Sequence, residues 1–330
     1  MMIDEFDFIK SVRPNKTHHK DLVMGIGDDA AVYNCKKGAE QIVCADTMVE
    51  GIHFTKETMT PFQLGWKVLA ANISDVAAMG GKPDYYLVSI AMTKDWLHQA
   101  KGIYKGMEAL AAQFGMDLIG GDTVSSKHEL VLSVTVIGHV VASRASLRNQ
   151  ARPGDAVLVT GTLGDSAAGL ALLTKDMAID DHNDSQYLIN KHQLPLPQVT
   201  AAEILAEMNE RFAVNDISDG IASEANEIAE ASQVAIKINY ENLPRSQALR
   251  HFDSTRQMYF MLNGGEDFQL LITAPRHKVE QLIEHFKGHD LLLTKIGEVT
   301  EGEPGVTLEV NGGEERLEKA GYNHFRADEG

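Results

Sequence analysis

The sequence predicts an α/β protein of two domains. Its 330 residues exceed the length of a typical single domain by about twofold, and strand-like runs alternate with helix-like segments along both halves. A basic, apolar-poor segment at residues 142–155, ASRASLRNQARPGD, interrupts this alternation and ends in a turn sequence. We therefore expect a first domain over residues 1–145 and a second domain over residues 146–330.

Four short apolar runs in the first half predict strands, because they are bounded by polar turns and several are rich in β-branched and aromatic residues. These runs are residues 41–46, 84–93, 116–119 and 129–141. Two longer segments, 62–79 and 95–114, predict helices from the spacing of their apolar residues. Glycines end both patterns, Gly80 after the first segment and Gly115 after the second.

The second half repeats the alternation. Strands are predicted at residues 156–160, 212–217, 268–273, 291–299 and 306–310. Helices are predicted at residues 165–173, 198–209, 221–232 and 276–287. This order is typical of a second α/β layer domain.

The composition excludes several classes of function. Acidic residues outnumber basic residues 47 to 30, for a net charge of −17, which opposes binding to nucleic acids. The longest apolar run, residues 130–141, falls short of the roughly 20 residues that span a bilayer, so we expect no membrane segment. Cys35 and Cys44 are too few for a disulfide scaffold, and the acidic N-terminus differs from a signal peptide. We therefore expect a cytoplasmic protein.

Common nucleotide-binding and metal-binding motifs are missing from the sequence. The string closest to a P-loop, GGKP, places Pro83 where a magnesium-binding hydroxyl is required. The sequence also lacks a spaced glycine triad after a strand, an H-R-D loop, an H-E-x-x-H helix and paired C-x-x-C motifs. P-loop, Rossmann, protein-kinase and zinc-site interpretations therefore lose their basis.

Aspartates in glycine-rich or strand-end positions are the remaining candidates for chemistry. They are Asp28 and Asp29 in GIGDD, Asp46 in VCADT, Asp75 in NISDVAAMGG, Asp122 in LIGGDT, and Asp216 and Asp219 in NDISDG. Turn formation or helix capping explains Asp28, Asp29 and Asp219 equally well. Asp75 lies within an apolar helix, where a carboxylate needs a cation or a hydrogen-bond partner. If several carboxylates converge, Mg²⁺ or Mn²⁺ would neutralise their repulsion.

Two further elements are typical of phosphate binding. Residues 161–166, GTLGDS, lead from a strand into a helix and would present backbone N–H groups to an anion, although an ordinary strand-to-helix turn explains them as well. Arg148 would offer a bidentate guanidinium to a phosphate, although the local sequence alone favours a solvated linker arginine.

The combined motifs resemble a known family. GIGDDAAV, ADTMVEGIHF, NISDVAAMGGKP, LIGGDT, VTGTLGDSAAGLALL, ISDG, NGGEDF and GYNHF occur in this order between residues 25 and 325. The order is similar to that of thiamine-monophosphate kinases, which belong to the superfamily of aminoimidazole ribonucleotide synthetase. The resemblance implies a two-domain aminoimidazole ribonucleotide synthetase-like fold, whose N-terminal domain pairs with its copy in a homodimeric β-barrel and whose C-terminal domain has a mixed sheet.

The resemblance also implies roles for single residues. The implied magnesium ligands are Asp29, Asp46, Asp75, Asp122, Asp216 and Asp219. The implied ATP contacts are Tyr104, Gly121, Asp122, Arg148 and Ser218. The implied contacts to the thiamine phosphate are His53, Glu266 and Tyr322. Among these residues, Asp46, Asp75 and Arg148 are the expected catalytic residues.

This chain departs from the family pattern at a few positions. Cys44 and Ala45 precede Asp46 where hydroxyl residues are frequent, and Gln198 replaces a common arginine. After ISDG, Glu224 and Asn226 replace a common aspartate and histidine. The central aspartates are unchanged.

The implied activity is phosphorylation of thiamine monophosphate to thiamine diphosphate, with ATP as co-substrate and several Mg²⁺ ions. A phosphate acceptor has a second pKa near about 6, so it is largely anionic at neutral pH and needs no general base. In-line transfer without a phospho-enzyme is therefore expected. The alternatives are another ATP-using enzyme of the superfamily, such as a purine cyclo-ligase, or a non-catalytic nucleotide-binding dimer.

Overall fold

The computed structural model describes residues 5–14, 16–26 and 30–319, of which residues 5–7 are described by their backbone alone. Three residues singled out in the sequence, Asp28, Asp29 and Tyr322, lie outside the described residues. The chain divides into two compact units, Met1–Ala145 with Gln193–Ala206, and Ser146–His192 with Glu207–Gly330. The return of residues 193–206 to the first unit has no signal in the sequence.

Helices and strands alternate along the described residues. The helices are α1 (Glu5–Val12), α2 (Pro61–Ala78), α3 (Lys94–Leu97), α4 (Ala100–Phe114), α5 (Asp165–Leu173), α6 (His182–Gln193), α7 (Val199–Glu207), α8 (Ile221–Ser232), α9 (Ser254–Asn263) and α10 (Val279–Gly288). The strands are β1 (Leu22–Met24), β2 (Val32–Tyr33), β3 (Ala39–Val49), β4 (Lys82–Met92), β5 (Asp117–Ser125), β6 (Val131–Val141), β7 (Asp155–Thr160), β8 (Ala213–Asp216), β9 (Ala235–Asn239), β10 (Leu270–Pro275), β11 (Leu293–Thr300), β12 (Gly305–Val310) and β13 (Gly313–Leu317). The predicted α/β class is confirmed.

The first unit is built on a four-stranded sheet of order β3-β6-β4-β5, in which only β4 and β5 run parallel. Helix α2 begins with a capping box, since Thr60 and Gln63 exchange side-chain and backbone hydrogen bonds. Helices α2 and α4 pack closely, because a Cβ atom on Gly106 would overlap the carbonyl oxygen of Phe62. The predicted helix over residues 95–114 is wrong in one respect, since the chain breaks near His98 and forms α3 and α4 separately.

The other face of this sheet is open within the first unit. Val43 of β3 is 65% exposed and Val124 of β5 is 49% exposed. Strands β3 and β5 lie at the two edges, so the sheet of the described residues does not close into a barrel by itself. The dimeric barrel implied by the resemblance stays a prediction.

Residues 193–206 are held on α2 by polar contacts. The indole N–H of Trp66 donates to the carbonyl oxygen of Pro195 at 2.8 Å. The amide of Gln63 donates to the side-chain oxygen of Gln193 at 2.7 Å, and the Gln193 amide donates to the carbonyl oxygen of Thr58 at 2.5 Å. These contacts join residues distant in sequence, which explains why no local pattern indicates them.

The second unit is built on a seven-stranded mixed sheet of order β13-β12-β9-β11-β7-β10-β8. Only β12 and β9 pair in parallel. Helices α5 and α8 have the bounds that the sequence predicts. Helices α6 and α9 and strands β9 and β13 were not predicted. Polar residues dominate the sequences of α6 and β13. No helix in the described part of the chain has the length and apolar character needed to cross a membrane.

Candidate active site

In the first unit, β3 and α2 bring Asp46 and Asp75 to the same side chain. Burial, followed by the charges of Asp75 and Asp46, raises the pKa of the Cys44 thiol above its ordinary value. Both carboxylates therefore lie near Cys44. This places the two expected catalytic aspartates of the first unit together, on the helix-covered side of the sheet.

Asn72 fixes this arrangement, although sequence reasoning did not identify it. Its side-chain oxygen accepts a hydrogen bond from the amide of Asp46 at 3.1 Å, and its side-chain nitrogen donates to the carbonyl oxygen of Val68 at 2.9 Å. Its own carbonyl oxygen accepts from the Cys44 thiol at 3.2 Å. Since Asn72 is fully buried, it ties β3 rigidly to α2.

Asp122 lies elsewhere in the first unit. Strands β6 and β4 separate β3 from β5, and three spacings of about 4.8 Å place Asp122 about 14 Å from Asp46. Asp122 pairs with the exposed Ser89 on the open face of the sheet. The neighbouring Gly121 has φ of 154° and lies against the backbone of Val88, where a Cβ atom would overlap. Only glycine therefore fits at this exposed point of β5.

His53 and Tyr104 occupy two other parts of the first unit. The Nδ1 atom of His53 accepts from the amide of Val49 at 3.1 Å, so the neutral ring carries its proton on Nε2. The ring of Tyr104, on α4, packs edge-on against Phe8 at 5.7 Å. It also lines a cavity of about 240 Å³ together with Arg13, Lys101 and Lys105.

In the second unit, one loop between β8 and α8 carries three of the expected site residues. Asp216 is buried at the end of β8, Ser218 is half-buried and Asp219 is exposed. Glu224, on the first turn of α8, holds this loop, because its Oε1 atom accepts from the Asp219 amide at 2.9 Å and the Ser218 hydroxyl at 3.4 Å. The sequence marked Glu224 only as a departure from the family pattern.

Glu224 is an unusual carboxyl group. It is 3% exposed, and its second oxygen, Oε2, is buried with no hydrogen-bond partner among the described residues. Burial, opposed by two backbone hydrogen bonds and supported by the charges of Asp219 and Asp216, raises its pKa to about 8. The start of α8 therefore places beside the Asp219 amide a buried carboxyl group whose second oxygen has no hydrogen-bond partner among the described residues.

Arg148 is tied to the same strand and helix. Its Nε–H donates to the side-chain oxygen of Asn215 at 3.0 Å, and a terminal nitrogen lies 3.1 Å from Glu227. Asn215 in turn donates to Glu227 at 3.2 Å. The guanidinium is thus oriented while its side chain stays 53% exposed. Arg148 is therefore exposed, as the local sequence favours, and it also belongs to a network of three side chains.

Glu266 lies in a strained turn beside the Ser218 loop. It has φ of 63°, in the left-handed region that favours glycine, and Phe268 has φ of 48°. The Glu266 amide donates to the carbonyl oxygen of Ser218 at 2.7 Å, and the Phe268 amide donates to that of Ile217 at 2.9 Å. The structure therefore brings Glu266 together with Ser218.

Asp267 occupies the anion position that the sequence suggested for GTLGDS. Its two carboxylate oxygens accept from the amides of Gly164 at 2.6 Å and Ser166 at 3.0 Å, at the start of α5. The expectation that these amides bind a phosphate is therefore wrong, because the chain supplies its own carboxylate there. Burial raises the pKa of Asp267 to about 7 even though both amides lower it.

The candidate metal ligands do not form one cluster. Among the residues that the structure describes, no three or more His, Cys, Asp or Glu side chains are grouped in a way that could hold a metal ion. The donors are nevertheless hard oxygens in small sets, and Mg²⁺ is commonly held by one or two carboxylates together with phosphate oxygens. The residues therefore fit such an ion in chemistry, and their ligand roles stay a prediction.

The sequence matches one protein family over most of its length. Residues 27–140 match the N-terminal domain and residues 152–309 the C-terminal domain of AIR synthase related proteins. Thiamine-monophosphate kinase of Bacillus subtilis (strain 168) is 45% identical over 327 residues, which are 98% of this chain and 100% of that protein.

Solved structures are similar as well. The crystal structure of thiamine-monophosphate kinase from Stenotrophomonas maltophilia K279a has a TM-score of 0.80 and 34% identity, covering 93% of this chain and 95% of that one. AaThiL complexed with AMPPCP and TMP has a TM-score of 0.76 and 32% identity, covering 98% and 97% of the two chains.

Replacing Asp267 with Asn should weaken the pH dependence of stability. The folded-state pKa of about 7 lies above the ordinary value of 3.8, so the folded protein holds this proton more tightly than the unfolded chain. The group therefore favours folding at low pH, and this contribution is lost as the pH rises from about 4 to about 7. We expect the urea midpoint to fall less between about pH 5 and about pH 8 in Asp267→Asn than in the unchanged protein, as measured by circular dichroism.

The exposed carboxylate Glu241 provides the control. Glu241→Gln removes one negative charge from the surface of the second unit. Its urea midpoint should fall between about pH 5 and about pH 8 by as much as that of the unchanged protein. An identical pH dependence in Asp267→Asn and Glu241→Gln would show that the Asp267 carboxyl does not titrate differently on folding.

Proposed function

The chain belongs to the thiamine-monophosphate kinases within the AIR synthase related proteins, and on that basis we propose that it transfers a phosphoryl group from ATP directly to the phosphate of thiamine monophosphate. The products are thiamine diphosphate and ADP. The observation that carries this proposal is the 2.7 Å hydrogen bond from the Glu266 amide to the Ser218 carbonyl oxygen. It joins the turn expected to bind the acceptor to the loop expected to bind ATP.

The relatives support the two substrates. AaThiL, 32% identical, was solved with AMPPCP and TMP, and we propose ATP and thiamine monophosphate for this chain. We assign ATP contacts to Tyr104, Gly121, Asp122, Arg148 and Ser218. The exposed positions of Gly121 and Asp122 on β5 support this assignment, as does the oriented and half-exposed guanidinium of Arg148. Such a guanidinium can stabilise the charge of a transferring phosphoryl group.

The acceptor contacts are assigned to His53, Glu266 and Tyr322. Glu266 keeps a carboxylate that is 30% exposed, which suits a partner for the cationic ring of thiamine. Because the acceptor is a phosphate that is already largely anionic, none of these residues has to remove a proton. Their proposed work is to bind and orient the acceptor for in-line attack.

We propose that several Mg²⁺ ions take part. Asp46 and Asp75 would hold metal in the first unit, and Asp216 and Asp219 in the second, with Asp29 and Asp122 as further ligands. Support comes from the shared neighbourhood of Asp46 and Asp75 at Cys44 and from the unsatisfied oxygen of Glu224 beside Asp219. When bound, Mg²⁺ supplies positive charge against the repulsion between the two phosphate substrates.

We also propose a cytoplasmic homodimer. The open face of the first sheet exposes Val43 and Val124, and exposed apolar side chains of this kind favour contact with another chain. A second copy placing the same face against it would complete the barrel that the resemblance implies. The two cysteines, Cys35 and Cys44, are unpaired, which suits a reducing compartment.

The proposed function is tested by the release of ADP from ATP in a coupled assay. Thiamine monophosphate should support ADP release, whereas free thiamine and aminoimidazole ribonucleotide precursors should not, because only the first offers the phosphate acceptor with the thiamine ring. ADP release with an aminoimidazole precursor alone would favour a cyclo-ligase. Binding of ATP without ADP release on any of them would favour a nucleotide-binding dimer.

Replacing Asp75 with Asn should abolish turnover while leaving the fold intact. The change keeps the shape but removes one negative charge beside Asp46, so we expect turnover to fall by about a hundredfold or more. Stability without metal should be unchanged or higher because repulsion falls. Binding of Mn²⁺, followed by electron paramagnetic resonance, should weaken in parallel. The exposed Asp95→Asn, on α3, is the control and should retain activity; unchanged Mn²⁺ binding and turnover in Asp75→Asn would reject the metal role.

Replacing Val43 with Lys should shift the dimer to monomers. A lysine on the open face of the edge strand β3 would bury a charge in the proposed interface, which costs several kcal/mol for each unpaired group. Light scattering after size exclusion should show twice the chain mass for the unchanged protein and one chain mass for the variant. Leu196→Lys, at another exposed apolar residue, should stay dimeric; a monomeric unchanged protein would exclude the homodimer.

A further inference from the structure

The geometry points to His192 as a positioning residue that, together with Ser166, sets the carboxylate of Glu266 for the acceptor. This inference rests on the proposed function, because the contact between Glu266 and the acceptor is part of that proposal. It adds a residue for which the sequence motifs and the relatives provide no role. It also assigns a role to the hydroxyl of Ser166 in the GTLGDS segment. The backbone amides of Gly164 and Ser166 in this segment already donate to Asp267.

His192 is held in a defined place. It lies near the end of α6 and is 1% exposed. Its Nδ1 atom lies 3.1 Å from the Ser166 hydroxyl oxygen and 3.5 Å from Oε2 of Glu266. One ring nitrogen therefore faces a hydroxyl on α5 and a carboxylate on the strained turn.

The chemistry of the two neighbours selects the protonation of this nitrogen. A carboxylate only accepts hydrogen bonds, whereas a hydroxyl both donates and accepts. A proton on Nδ1 can point between the Ser166 oxygen and Glu266 Oε2, and it makes both contacts favourable. A bare Nδ1 would instead set a lone pair against the carboxylate. We therefore assign the proton to Nδ1, with Ser166 as the second acceptor.

Glu266 needs such a restraint. Its side chain is 30% exposed, and a glutamate with one end in water samples several rotamers until a contact fixes one of them. Its backbone is already held by the hydrogen bond from its own amide to the Ser218 carbonyl oxygen. The next residue, Asp267, is held by the Gly164 amide. His192 restrains the remaining freedom, that of the carboxylate itself, before the acceptor arrives.

Asparagine and glutamine at position 192 separate positioning from packing. Both are polar and smaller than the ring, so both disturb the buried site to a similar extent. Asparagine places its amide nitrogen near the position of Nδ1, whereas glutamine places it near the position of Nε2. Only His192→Asn therefore keeps a donor for Glu266.

The experiment measures KM for thiamine monophosphate and for ATP, together with kcat and the melting temperature. We expect His192→Gln to raise KM for thiamine monophosphate by about tenfold while KM for ATP changes by less than about twofold. His192→Asn should stay within about threefold of the unchanged protein for both substrates. In Glu266→Gln, which already lacks the negative charge, the further change His192→Gln should add little, since the two residues act as one unit.

Other results would overturn the inference. Equal effects of Asn and Gln on both KM values, effects that add fully to those of Glu266→Gln, or loss of folding in both variants would make His192 a packing residue. A separate outcome concerns the proposed function. If the unchanged protein releases no ADP with thiamine monophosphate, the proposed function fails before any variant is compared, and this inference fails with it.

Discussion

The buried carboxylate of Asp267 is the constraint on which the second unit depends. It accepts hydrogen bonds from the backbone amides at the start of α5. Its neighbours in sequence, Glu266 and Phe268, have left-handed backbone conformations, which are costly for residues other than glycine. Each of these two residues is held by a hydrogen bond to the loop after β8. Hydrogen bonds thus join three segments that are more than 40 residues apart in sequence. The strained backbone of the turn persists because hydrogen bonds hold Glu266 and Phe268 to the loop after β8 and hold Asp267 to the start of α5.

Carboxylates in the described part of the chain are distributed rather than concentrated. Asp46 and Asp75 share one side of the first sheet, whereas Asp122 lies on the opposite edge strand and the other face. Such a spread avoids the repulsion of a single acidic cluster in a chain with net charge −17. It also suits substrates that are themselves anions, since each small set of oxygens can share a cation with a phosphate.

The local sequence predicted the helices and strands that have clear apolar spacing and glycine boundaries. It did not predict features that depend on contacts between residues distant in sequence. Helices α5 and α8 follow from their glycine starts and apolar spacing, and β3 and α2 follow from equally clear patterns. Helix α6 was missed because its sequence is largely polar, yet it carries His192, a buried side chain of the candidate site. The role of Asp267 could not be predicted either, since its partners Gly164 and Ser166 precede it by about a hundred residues and no pattern indicates a left-handed glutamate.

The departures from the family pattern have structural consequences that are compatible with the candidate site. At the position of a common aspartate, Glu224 still reaches the Asp219 amide. Asn226 occupies the position of a common histidine. Its side-chain amide donates to the carbonyl oxygens of Ala222 and Leu317 and so joins α8 to the end of β13. Cys44 replaces a hydroxyl residue, and its raised pKa keeps the thiol protonated beside Asp46 and Asp75. A protonated thiol adds no negative charge and is a poor ligand for a hard cation, so any metal ligation at this position falls to the carboxylates and the backbone.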